Sequence, residues 1–365
     1  MHSGHINVVV SAGQSRNPEK RELEQAIAAA AGELPGVRVI CVPHLYDLAK
    51  DGETYQALRQ LYGDIVLVSW MFPRAAHWIL DRNGVCGQFG TVELQQESEE
   101  DDAAEDRQPH EDRVTLAQPR PDRTIYTLDF RASTAASAFV DEIQRIAILS
   151  RATRTAQQAS TPLTLEMLGQ FEQPTNDTYI GAPGSAASLR HADESTTATL
   201  FGNASVATIE EHPARRWYPV IDFSRCTNCM ECIDFCLFGV YGIDSVETIV
   251  VEQADNCRKG CPACSRVCPE NAIMFPQHKS PAIAGAPVDA GGLKVDLSKL
   301  FGAPDDGEDA ATAAIRERDE QLRLAGRQAV GASTGLSQRL LKPAGESGQA
   351  DNLDALIDQL DALDL

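Results

Sequence analysis

Hydrophobic and polar positions along the first half of the chain switch between a strand period and a helix period. Ile6-Asn7-Val8-Val9-Val10 is a β-branched run of the buried-strand type, and after Ser11-Ala12-Gly13-Gln14-Ser15 it yields to a helix opening at Asn17-Pro18. Asn at the cap accepts a bond from an amide the helix cannot satisfy, and Pro at the first helical position has no amide to lose. Helical spacing over Arg21 to Ala31 is followed by Val37 to Val42 as a second strand, a helix near Thr54 to Leu61, and Asp64 to Ser69 as a third strand. A strand over Thr124 to Phe130 and a helix near Ala135 to Leu149 complete the layer. Strands alternating with helices predict an α/β domain with a parallel sheet over residues 1–150.

The pattern breaks in three places. Between about Glu93 and Arg123 lies Glu97-Ser98-Glu99-Glu100-Asp101-Asp102, a self-repelling run that reads as a disordered insertion or an acidic docking arm. Residues 151–211 are rich in Ala, Ser, Thr and Gln without a sustained period, which predicts a linker that leaves the next module free to reorient. Residues 283–351 read as a second linker carrying a charged helix around Glu308 to Gln328. The last residues, 352–365, return to helical period: Leu353, Leu356, Ile357, Leu360 and Leu363 fall on one face and Asp354, Asp358 and Asp361 on the other. So short a helix is marginal alone, so it is expected to dock, either on a redox partner protein or back on the first domain.

Candidate chemistry concentrates in residues 212–282, where the cysteines fall into two runs: Cys226-x2-Cys229-x2-Cys232-x3-Cys236 and Cys257-x3-Cys261-x2-Cys264-x3-Cys268-Pro269. The doubled spacing is that of two iron-sulfur cubanes, each needing four thiolates on one small body. Structural zinc would leave surplus cysteines in each run. Disulfides require an oxidising compartment, and no apolar secretory segment follows Met1. Cys257-x3-Cys261-x2-Cys264 matches the radical S-adenosylmethionine spacing, but that chemistry leaves Cys268 and the whole first run unexplained. Cys41 and Cys86 stand outside the runs as ordinary thiols.

From Trp217 to about His278 the chain resembles a bacterial dicluster 4Fe-4S ferredoxin domain. The resemblance implies an α+β ferredoxin-like fold, with paired two-stranded ribbons built from strands such as Tyr218 to Asp222 and Glu247 to Val251. It also implies crossed ligation, in which one cluster is held by Cys226, Cys229, Cys232 and Cys268 and the other by Cys257, Cys261, Cys264 and Cys236. Two positions depart from the family pattern: Leu237 follows Cys236 where Pro is frequent, and the second run has one extra residue, which Gly260 would absorb at positive φ.

Composition narrows the function classes. With 32 Lys+Arg against 53 Asp+Glu the chain carries a formal charge of −21, which repels a polyanion and excludes nucleic acid as the expected partner. No apolar run approaches membrane-spanning length, so no membrane insertion is expected, and a reducing cytoplasmic location suits the thiols. Against the net charge, Arg215, Arg216, Arg225, Arg258, Lys259, Arg266 and Lys279 crowd the cysteine region, as counter-charges to the clusters or as a face for an acidic partner.

Ligands of open α/β sheets bind at the carboxyl ends of the strands. Ser11, Gly13, Ser15 and Arg16 follow the first strand, His44 the second, and Trp70, Phe72, Arg74 and His77 the third. The turn Ala12-Gly13-Gln14-Ser15-Arg16 resembles that of the chelatase-like domains of the cobalamin and sirohaem pathways. Ala12 stands where their metal-facing histidine would be and Gln14 is inserted, so chelatase activity does not carry over. A pocket for a tetrapyrrole, a metal or a flavin phosphate at the helix N-terminus is what remains. The expected function is single-electron transfer through two 4Fe-4S clusters to a partner oxidoreductase, with a reductase that acts on a cofactor held by the first domain as the alternative.

Overall fold

The computed structural model describes residues 5–95, 113–117, 120–160, 204–287 and 310–335. The acidic run at 97–102, most of the first linker and the C-terminal helix at 352–365 lie outside the described residues.

Six parallel strands form one sheet in the order β4-β5-β3-β1-β2-β6: β1 is Ile6–Ser11, β2 Val37–Val42, β3 Ile65–Ser69, β4 Gln88–Phe89, β5 Thr124–Asp129 and β6 Val206–Thr208. The helices between them are α1 (Pro18–Gly32), α2 (Glu53–Arg59), α3 (Pro73–Arg82), α4 (Val114–Ala117) and α5 (Ala136–Ser160). Asn17 caps α1 through its side chain, accepting from the Glu19 amide at 2.9 Å, with Pro18 at the first position. Parallel sheets are stable when both faces are covered, and the alternation within β1 serves two cores. Val8 and Val10 point to the face under α1 and α5, with Ile27, Phe139 and Ile143. Val9 points to the other face, with Leu58, Ile79 and Trp78 from α2 and α3.

Two stretches expected to be irregular are partly regular. The end of the stretch read as a linker forms β6, which pairs with β2 from Val39↔Val206 to Cys41↔Thr208. The end of the acidic insertion forms α4, whose Val114 is buried among residues of the cysteine region.

That region is built from two antiparallel ribbons, β7 (Val220–Ile221) with β10 (Ile273–Met274) and β8 (Tyr241–Ile243) with β9 (Ile249–Val251). Its short helices are α6 (Glu231–Phe235), α7 (Ala263–Val267) and α8 (Pro281–Ala284), and α9 (Ala310–Leu324) packs on α7. A freely reorienting module was expected, but the ribbons sit directly on the α/β layer. Ala75 to Leu80 of α3 are buried without interruption, because one side of the helix faces the sheet and the other the ribbons. Tyr218 stacks on Tyr46 at 4.2 Å between ring centroids, donates its amide to the Tyr46 hydroxyl at 2.7 Å and donates its own hydroxyl to the Tyr46 carbonyl at 2.9 Å. The guanidinium of Arg74, from α3, holds the buried carboxylate of Asp222 and the carbonyl of Asn271. Among the described residues, no helix is long and apolar enough to cross a membrane.

Candidate metal centres

The loop bearing the first cysteines is turned by backbone chemistry. The Asp222 carbonyl accepts from the amides of Arg225 and Cys226, and its side chain accepts from the Ser224 amide at 2.9 Å. Asn228 and Met230 then take positive φ, 59° and 63°, a conformation that costs most non-glycine residues energy and that Asn tolerates best. The Asn228 side chain clamps the loop to the β8-β9 ribbon, donating to the Glu247 carbonyl at 2.8 Å and accepting from the Ile249 amide at 2.9 Å. α6 then presents Cys232, and Cys236 caps its end. In the second run Gly260 has φ 84° with nothing within 4 Å of an added Cβ, so the extra residue is absorbed where the sequence anticipates. α7 presents Cys264, and Cys268 caps it.

These turns bring the eight cysteines to two separate cavities. One is lined by Cys226, Cys229, Cys232 and Cys268 with Ile221, Ile249 and Ile273, and the other by Cys236, Cys257, Cys261 and Cys264 with Phe235, Phe238 and Tyr241. Each therefore takes three cysteines from one run and the last cysteine of the other. All ten cysteines of the chain are free of disulfides. The four thiols of each group surround a space, as the ligands of a polynuclear cluster would.

The electrostatics of the thiols call for a cationic centre at each group. Burial pushes the thiols of Cys226 and Cys261 up to about 11 and also raises Cys232, Cys257 and Cys264. Neighbouring thiols add to this rise, since thiolates repel each other. Such groups become thiolates together only around a cationic centre, whose binding expels the protons. Donors are already aimed at the sulfurs: the Asn228 amide to Cys226 at 3.4 Å, the Ala272 amide to Cys268 at 3.3 Å and the Tyr241 hydroxyl to Cys264 at 3.0 Å. Burial raises Cys236 and Cys268 as well, while nearby backbone amides pull them back. Cys229 is exposed and Cys257 half-buried, so each cavity has a sulfur near solvent.

The basic residues around the cysteines are partly committed to structure. Arg216 pairs with Asp255 at 2.7 Å, and Arg266 grips Glu317 of α9 through two bonds of 2.9 Å. A guanidinium that the spacing of cysteines gives no reason to single out, Arg318 of α9, is only 1% exposed and lines the second cavity.

The residues after β1, β2 and β3 behave differently. The Ser11 hydroxyl accepts from the Leu45 amide and donates to the Pro43 carbonyl, each at 3.2 Å. The Gly13 amide donates to the Glu24 carboxylate at 2.8 Å, the Trp70 indole donates to the same oxygen at 2.7 Å, and an added Cβ on Gly13 would lie 2.6 Å from Trp70. Ser15 accepts from the Asn17 amide at 3.2 Å, and Arg16 is exposed. The donors that the turn presents at Gly13 and Trp70 are thus taken up by the chain's own Glu24 carboxylate, and the Glu19 amide at the start of α1 by the Asn17 side chain. Glu24 was not legible as the partner of Gly13, because it lies eleven residues further on, inside α1. His77 is fully buried and stacked on Phe89 at 3.6 Å, with neither ring nitrogen bonded; burial and then Arg120 push it down to about 3. His44 is buried beside Asp47, and burial lowers it. Arg74 and His77 thus belong to the contact between sheet and ribbons and to the core, not to a pocket.

Over part of its length the chain is similar to a ferredoxin. An uncharacterised ferredoxin of Methanocaldococcus jannaschii is 46% identical to it over 77 residues, which are 20% of this chain and 52% of that protein. The chain thus spans about half the length of the curated relative it matches. No family model and no solved structure matches it.

Proposed function

We propose that the chain is a one-electron carrier with two 4Fe-4S clusters, one bound by Cys226, Cys229, Cys232 and Cys268 and the other by Cys236, Cys257, Cys261 and Cys264. The observation that carries the reading is the crossed grouping of eight thiols, seven of them buried or half-buried and Cys229 exposed, around two spaces. Bound clusters would supply reversible one-electron chemistry. The chain's own residues exclude water with Phe235, Phe238 and Ile273, donate to sulfur from Asn228, Ala272 and Tyr241, and leave Cys229 and Cys257 near the surface. Those two edges are where a partner oxidoreductase would give or take an electron. Free cysteines throughout suit a reducing cytoplasm. Iron and acid-labile sulfide measured on anaerobically purified protein test the reading: about eight of each per chain are expected, and about four would reduce the relay to a single site.

A further inference from the structure

The two cavities are lined by opposite charges. The cavity of Cys226, Cys229, Cys232 and Cys268 has the carboxylates of Glu231 and Glu270 in its wall, whereas the only charged residue lining the cavity of Cys236, Cys257, Cys261 and Cys264 is Arg318. Arg318 comes from α9, fifty residues beyond the last cysteine, and its placement is built rather than incidental. Its guanidinium lies over the Phe235 ring at 4.5 Å and donates to the carbonyls of Thr334 at 2.8 Å and Gly331 at 2.6 Å. Asp319 faces it at 3.3 Å and also accepts from the Gly331 amide at 2.7 Å. Glu317, the residue before it, pairs with Arg266 at 2.9 Å. Gly335 brings its backbone so close to α6 that an added Cβ would lie 2.6 Å from the Asp234 carbonyl, and Arg327 donates to the Leu237 carbonyl at 2.7 Å. α9 and the turn after it therefore clasp the second cavity and seal a cation into its wall.

Resting on the two-cluster reading above, we infer that Arg318 sets the direction of electron flow, making the Cys236, Cys257, Cys261 and Cys264 cluster the place where the electron comes to rest. Reduction adds one electron and one negative charge to a cluster that is already a net anion; no bond breaks and no proton moves. A low-potential one-electron donor supplies the electron. A guanidinium sealed from water stabilises the added charge, while Glu231 and Glu270 oppose it at the other cluster. Solvent at the exposed Cys229 works in the reverse sense but also screens, whereas Arg318 is desolvated and only partly offset by Asp319, which faces it at 3.3 Å. Electrons enter at the carboxylate-lined site and collect at the Arg318 site, beside the half-buried Cys257.

Redox titration with dithionite, followed by electron paramagnetic resonance on the full chain, tests this. In Arg318→Gln the midpoint of one cluster should fall by at least a tenfold change in its reduced-to-oxidised ratio, about 59 mV for one electron. Arg318→Lys, which keeps the charge, should retain the native midpoint. Asp319→Asn, which removes the facing carboxylate, should raise the same midpoint, and Glu270→Gln should raise the other one. A purely structural role for Arg318 would not give opposite shifts in Arg318→Gln and Asp319→Asn. Unchanged midpoints in Arg318→Gln with the iron content of the native chain retained would overturn the proposal. If Arg318→Gln loses iron, unchanged midpoints in Asp319→Asn would overturn it. A native chain with about four irons would instead overturn the two-cluster reading on which the proposal rests.

Discussion

Arg74→Met tests how the ribbons are held to the sheet. Arg74 is 11% exposed and its partner Asp222 2%, so the substitution leaves a buried carboxylate between two layers with only Arg225, at 3.8 Å, as a remaining cation. Removing one member of a buried pair costs about 3–5 kcal/mol, mostly through the unpaired charge left behind. Asp222 keeps its bond from the Ser224 amide, which softens the loss, and the bond from Arg74 to the Asn271 carbonyl disappears as well, which adds to it. The lower end, about 3 kcal/mol, is therefore expected, which corresponds to an opening equilibrium larger by roughly a hundredfold. Hydrogen exchange reads this locally, without unfolding the clusters: the amides of Tyr218, which bonds Tyr46, and of Val114, which bonds the Cys226 carbonyl, should lose protection by about that factor. Adding Asp222→Asn to Arg74→Met should restore part of the protection, because it removes the stranded charge. Protection at Tyr218 within about threefold of the native chain would refute the reasoning that this pair anchors the module.

Three further outcomes follow from the geometry. Gly260→Ala places a side chain at φ 84° with open space around it, so only backbone strain acts: about 1 kcal/mol, seen as faster iron loss to a chelator, with Gly260→Asn intermediate and an unchanged rate contradicting the assignment. Glu24→Ala strands the Gly13 amide and the Trp70 indole and should lower stability by about 2 kcal/mol, while Glu24→Gln, which still accepts, loses less; equal melting of both variants would count against Glu24 as the occupant of the turn. His77 is held neutral down to about 3 in the folded chain and protonates near 6.5 once unfolded, so its contribution to stability is complete above about 6.5 and is lost as pH falls towards 3, at up to about 1.4 kcal/mol per pH unit. Melting temperatures between about pH 7.5 and 5.5 should fall less steeply in His77→Phe, and identical slopes would exclude His77 as a source.

The parallel sheet was legible because β1, β2, β3 and β5 are runs of β-branched residues bounded by turn chemistry, and the two cysteine runs because thiol spacing over a few residues is local information, whereas their crossed grouping followed only from the ferredoxin resemblance. Gly260 was legible for the same reason: an extra residue in a tight loop needs one position at positive φ. What escaped was non-local. β6 is three residues in a stretch rich in Ala, Ser and Thr, and only its pairing with β2 makes it a strand. Arg74 and His77 follow β3 as site residues of an open sheet do, yet α3 is buried on both sides because the ribbons cover it. Glu24 fills the turn from within a helix, and Arg318 reaches the second cavity from a helix whose sequence shows only charge; neither contact leaves a mark on spacing.

In the proposed function one chain holds two cubanes by crossed ligation. The electron paramagnetic resonance spectrum of the fully reduced, anaerobically prepared protein tests it most directly, because two reduced clusters in neighbouring cavities feel each other's spins. The account predicts a spin-coupled spectrum that collapses to a simple single-cluster signal in Cys268→Ala, where the cluster of Cys226, Cys229 and Cys232 loses its fourth sulfur. A simple uncoupled signal from the native chain would contradict it, as would a spectrum that Cys268→Ala leaves unaltered.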